Sequence, residues 1–98
     1  MSVQIVRFST TTEQAPEAED AIRVLFAAVD EAAPTGIEYT AVRVHEGPEF
    51  LLILNLADAG ANPLLEIPAA LEFRTKVVAW AGAPVPPQPV TVLGRYSR

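Results

Sequence analysis

The chain contains no cysteine. That removes disulfides, thiolate nucleophiles and cysteine-based zinc sites together. Histidine occurs once, as His45, so a zinc site would have to be built from carboxylates and no metal is expected. Lys and Arg number 7 against 12 Asp and Glu, a net charge of −5. The basic residues are scattered, and without a basic stripe to neutralise phosphates, nucleic acid is not an expected partner. No apolar run approaches the ~18 residues a membrane span needs. The opening Met1-Ser2-Val3-Gln4-Ile5 has neither the basic stretch nor the apolar stretch of a signal peptide. No membrane partner and a cytoplasmic location are therefore expected. There is also no G-x-G-x-x-G, P-loop, H-E-x-x-H or serine nucleophile elbow.

What the chain does have is apolar residues, 50% of 98 positions. A chain this short forms one domain, taken as 1–98, with a high surface-to-volume ratio. An apolar surplus on such a domain fits an oligomer interface or a ligand cavity.

The segment order reads strand, helix, strand, strand, helix, strand. Val3 to Phe8 is a strand closed by the polar cluster Ser9-Thr10-Thr11-Thr12. Thr10 with Glu13, and Thr11 with Gln14, both have capping-box spacing. Pro16 suits a first helical turn, and Glu17, Glu19 and Asp20 suit the positive end of a helix dipole. Ala18, Ile22, Leu25, Val29 and Ala32 then form one apolar stripe, stopped by Pro34-Thr35-Gly36. Ile37 to His45 is a second strand, Glu46-Gly47-Pro48-Glu49 a turn, and Phe50 to Leu56 a third strand. Asp58 to Pro63 is a loop, with Pro63 to Glu66 a short helical prelude. A second helix starts near Ile67 with Ala70, Phe73, Val77 and Trp80 on its apolar stripe, and Gly82 closes it. Ala83 to Pro89 is an extended proline-rich connector, and Val90 to Tyr96 the last strand.

Three of the four strands are apolar on both faces. Helices on one side of a sheet cover only one of those faces. The economical cover for the other is a second copy of the chain.

This βαββαβ order is the ferredoxin-like α+β arrangement, an antiparallel sheet with both helices on one face. The two-sided strand Phe50-Leu51-Leu52-Ile53-Leu54-Asn55-Leu56, the segment Asn62 to Pro68 leading into Glu72-Phe73-Arg74, and the proline-rich stretch before Val90-Thr91-Val92-Leu93-Gly94 give it a closer likeness. The chain resembles the dimeric α+β-barrel superfamily, and within it the antibiotic-biosynthesis-monooxygenase-like proteins. That resemblance implies a homodimer joined sheet to sheet, with a pocket between sheet and helices in each subunit. It also implies a range of activities, cofactor-free oxygenases among them, that a fold by itself does not distinguish. Haem-degrading relatives use an Asn on the first strand, a Trp on the third and a His on the second helix. Those positions do not match here, so no haem is expected and no cofactor at all.

Candidate site residues each have a functional and a structural reading. His45 is the only side chain that titrates near neutral pH unaided, and so the candidate general base; at a turn it is otherwise a solvated residue. Asn55 interrupts an apolar strand, so its amide either holds a ligand oxygen or is locked to a neighbour. Arg43 and Arg7, with Arg95, either stabilise an anion in a cavity or pair with carboxylates at a rim. Trp80, Phe73 and Tyr39 either wall an aromatic pocket or belong to the core. Glu72 and Arg74 read as residues of a solvated helix face.

The leading expectation is a cofactor-independent monooxygenase-like protein acting on a small aromatic or polyketide-like molecule. His45, Asn55 and Arg43 are its catalytic candidates, and Trp80, Phe73, Tyr39 and Arg7 its substrate-binding candidates. The alternative is a non-catalytic dimer that binds a small apolar ligand.

Overall fold

Strand β1, Ser2–Ser9, lies inside the sheet between its two partners, β3 (Glu49–Leu56) and the short β4 (Gln88–Val90). Strand β2, Ile37–Arg43, flanks β3 on the other side, giving the order β2-β3-β1-β4 with every neighbour antiparallel. Helix α1, Ala15–Ala32, connects β1 to β2. A 3-10 turn, Pro63–Glu66, and helix α2, Pro68–Ala81, connect β3 to β4. This is the ferredoxin-like arrangement. The computed structural model describes residues 2–45, 47–58, 60 and 62–96.

The helix ends follow from particular side chains. The Thr11 hydroxyl accepts from the Gln14 backbone N–H at 3.1 Å, and the Gln14 side-chain oxygen accepts from the Thr11 N–H at 3.4 Å. Of the two reciprocal pairs the spacing offers, the second forms, closing the turn that leads into α1, whose own N-cap, Gln14, has no side-chain cap. α1 ends at Ala33, in the left-handed region at φ 48°, before Pro34. α2 ends at Gly82, at φ 77°, where glycine carries no Cβ penalty.

The pleat divides the strands in two. Phe8, Phe50 and Leu52 point to the helices and pack with Ala15, Ala18 and Leu25 of α1 and Phe73 and Val77 of α2. Leu54 and Leu56 join Leu64 and Ile67 in an adjoining cluster. Phe8 is the hub of the first group. Its ring lies 5.4 Å from Phe50, 5.9 Å from Trp80 and 6.0 Å from Phe73.

On the opposite face the register aligns Ile5 with Ile53 and Thr40, and Arg7 with Leu51 and Val42. Neither helix covers this face. Val42 and Val44 are each 40% exposed.

The last strand differs from the expectation of Val90 to Tyr96. The ladder with β1 holds only Gln88, Pro89 and Val90. The register ends at Val3↔Val90, and residues 91–96 carry no strand. β2 also stops at Arg43 rather than His45. Of the expected turn and loop, Glu46, Ala59 and Ala61 lie outside the described residues.

Candidate functional site

A cavity of about 310 Å³ lies between the sheet and α2. Its floor comes from the helix-facing side of the strands: Gln4 and Val6 of β1, Tyr39 of β2, Leu52 and Leu54 of β3. One wall is α2, where Phe73 and Val77 are buried and Leu71, Arg74 and Val78 lie one helical row further out. Leu71 is 45% exposed and Val78 39%, so that row forms the rim. Positions three and four apart are neighbours along a helix, which places the Arg74 guanidinium stem between two exposed aliphatic side chains.

The opposite wall is the connector Pro84-Val85-Pro86-Pro87. The β1–β4 register explains its position. Continued backward from Ile5↔Gln88, it would set Pro87 opposite Val6 and Pro86 opposite Arg7. The chain joins the sheet at Gln88, and Val6 and Pro87, short of that point, both line the cavity.

Four lining residues carry polar groups: Gln4, Tyr39, Asn62 and Arg74. Asn62 is committed to local structure, because its side-chain oxygen accepts from the Leu64 N–H at 3.0 Å and caps the 3-10 turn. Tyr39 stacks on Phe26 of α1 at 4.9 Å between ring centres. Burial pushes its phenol up from 10.0 to about 12, so the group stays protonated through the neutral range. Among the described residues Arg74 is the single charged one of the lining, and it forms no ion pair there. No carboxylate, histidine or lysine among the described residues lines the cavity.

The expected site residues are spread over three places. Tyr39 and Phe73 line the cavity. Trp80 packs behind it in the aromatic cluster, 6.2 Å from Phe73 and stacked on Phe8. Arg43 is on the helix side of β2 but away from the cavity. Its guanidinium donates to the Gly47 carbonyl at 2.9 Å and to Glu19 at 3.2 Å, and it lies 5.7 Å above the Phe50 ring. Arg7 and Asn55 sit on the uncovered sheet face. Arg7 pairs with Glu49. Asn55, 9% exposed, stands between Val3 and Glu38 in the cross-strand register. His45 is exposed in the β2–β3 turn with a left-handed backbone, φ 53°. Arg95, expected within a strand, lies beyond β4 and reaches Glu38 at 3.9 Å. His45, Asn55 and Arg43 are thus not brought to one place.

Gln4, Arg74 and the proline wall were not among the expected site residues. Arg74 was read as part of a solvated face. Its position three residues after Leu71 and four before Val78 was the available signal. Among the described residues, no group of three or more metal-ligating side chains comes together. No helix there is long and apolar enough to cross a membrane.

No protein-family profile matches the chain, and no curated protein matches it. Solved structures do. A Nitrosomonas europaea protein of unknown function, NE2512, superposes with a TM-score of 0.73 at 17% identity, covering 99% of this chain and 93% of that one. Rv0793 from Mycobacterium tuberculosis superposes with a TM-score of 0.63 at 22% identity, covering 98% of each chain. At such identities the likeness is one of fold.

Proposed function

We propose that this protein is a homodimeric binding protein that holds a small, largely apolar molecule between its sheet and α2. The observation that carries the reading is the cavity itself. Its volume of about 310 Å³ is at the lower end of the range for ligand sites, and its lining, apolar with a few polar groups, is of the kind such sites have. A folded protein packs its interior densely, so a void of this size beside exposed leucine and valine asks for an occupant. The uncovered sheet face supports the dimer. Val3, Ile5, Leu51 and Ile53 form an apolar centre there, with Arg7–Glu49 and Glu38–Arg95 at its margins. A stable interface buries about 1,200–2,000 Å² in total, an area a sheet face can supply. Joined in this way, the molecule would be a dimeric α+β barrel.

The test is a binding titration with an environment-sensitive naphthalene dye and its displacement by small apolar molecules. Saturable binding that is lost in Ala70→Leu, which grows into the cavity from α2, supports the reading. Binding unchanged by that substitution overturns it.

A second reading gives the same cavity an oxygenase activity without cofactor on a small aromatic molecule, with the monooxygenase-like proteins as relatives. The observation in its favour is Tyr39, a phenol kept neutral and able to donate to a developing oxyanion. Oxygen uptake with a panel of hydroquinones tests it. Uptake that falls in Tyr39→Phe supports it. Absence of uptake leaves binding as the function.

A further inference from the structure

We infer that the ligand of this cavity is an apolar molecule bearing one anionic group, a carboxylic acid of small size, and that Arg74 is the residue that selects it. The inference rests on the binding function proposed above and adds the chemical class of the ligand.

The argument begins with charge. The protein is acidic, at −5 overall, yet among the described residues not one carboxylate lines the cavity, and the single charged lining residue is a cation. The other described arginines are occupied. Arg7, Arg23, Arg43 and Arg95 each have a carboxylate partner within 4.0 Å. Arg74 has none among the described residues, although Glu72 stands two positions away on the same helix. Residues two apart do not face each other on a helix, so Glu72 cannot serve Arg74 as a partner.

The surroundings make that guanidinium specific. Leu71 and Val78 flank it on α2, and Leu65, Pro84 and Pro86 supply further exposed apolar rim. An arginine at such a mouth lies along apolar surface while keeping its fork of donors free for an oxygen pair. A ligand entering tail first would bury its apolar body against Leu52, Leu54 and Val77 and leave its head at the rim. A carboxylate there takes a charge-assisted bond. An alcohol of the same shape takes a weaker one. The negative net charge of the protein opposes anions at long range, but salt screens charges more than about 10 Å away, whereas a carboxylate at Arg74 is in direct contact.

The experiment is calorimetric titration of the full chain with two matched pairs: octanoate against octanol, and 1-naphthoate against 1-naphthalenemethanol. Each is measured on the natural protein, on Arg74→Gln and on Arg74→Lys. The expected result is that each acid binds about tenfold tighter than its alcohol, that Arg74→Gln brings the two together, and that Arg74→Lys restores part of the gap. The aliphatic and aromatic pairs separate the two kinds of body such an acid can have. Acids and alcohols binding alike, or a preference that survives Arg74→Gln, would overturn the inference and leave the binding function standing. No binding by any of the four would instead remove the binding function, and this inference with it.

Discussion

Ile5 and Ile53 stand directly opposite each other across β1 and β3, on the sheet face that neither helix covers. Cross-strand pairs of branched residues stabilise a sheet, but here the pair also forms part of an apolar surface that neither helix covers. Placing a charge at its centre should separate two copies while leaving the helix-side core untouched. Ile53→Lys is expected to be a folded monomer by light scattering and circular dichroism. The natural chain is expected to be a dimer at micromolar concentration. A natural monomer would end the sheet-to-sheet proposal.

Phe8 touches Phe50, Phe73 and Trp80 at once, so its loss removes three ring contacts and leaves a void that no neighbour can fill by itself. Phe8→Ala should cost about 3–5 kcal/mol in urea unfolding. That is a large part of the roughly 5–15 kcal/mol a domain of this kind has. Trp80→Phe keeps a ring in place and should cost much less.

Thr11→Ala deletes the hydroxyl that accepts from the Gln14 N–H and half of the reciprocal pair that starts α1. The expected loss is about 1 kcal/mol. Thr10→Ala, at the capping position that is not used, should leave the unfolding midpoint nearly unchanged.

Tyr39 gives the molecule an alkaline limit. Its folded pKa, raised to about 12 from 10.0, means that the folded state keeps a proton the unfolded state releases. The contribution is therefore complete below pH 10 and is lost as pH rises towards about 12. Its size is of the order of 2–3 kcal/mol. The checkable quantity is the difference in unfolding midpoint between the natural protein and Tyr39→Phe. That difference should change across this alkaline window and stay level between pH 6 and 9.

The sequence carried the architecture well because the strongest periodicities were also the ones buried. Phe50 to Leu56 read as a two-sided strand, and it lies inside the sheet with neighbours on both edges. The stripe Ala70, Phe73, Val77, Trp80 is the face of α2 that meets the core. β4 was harder to place because Val90-Thr91-Val92 has the better alternation, whereas Gln88-Pro89-Val90 is where β1 supplies partners. A proline inside a strand argues against a central position and is tolerated at an edge, where β4 lies. The cavity was less legible than the fold. Its residues come from β1, β2, β3, the 3-10 turn, α2 and the connector, a convergence that no local pattern announces. Polar residues drew attention by type, as with His45, Asn55 and Arg43. Only the register and the helix rows separate those on the turn, the uncovered face and the Glu19 ion pair from Arg74 at the cavity mouth.

The pairing of Val3 with Val90 has a consequence for how the protein is made. Translation delivers β1 well before the strand that finishes its outer edge. Until residues 88–90 leave the ribosome, β1 can zip to β3 but shows the nascent-chain environment an unpaired row of amides and carbonyls beside an unroofed hollow. Chaperone dependence should therefore concentrate in that interval, and nascent chains arrested before Gln88 are where to measure it.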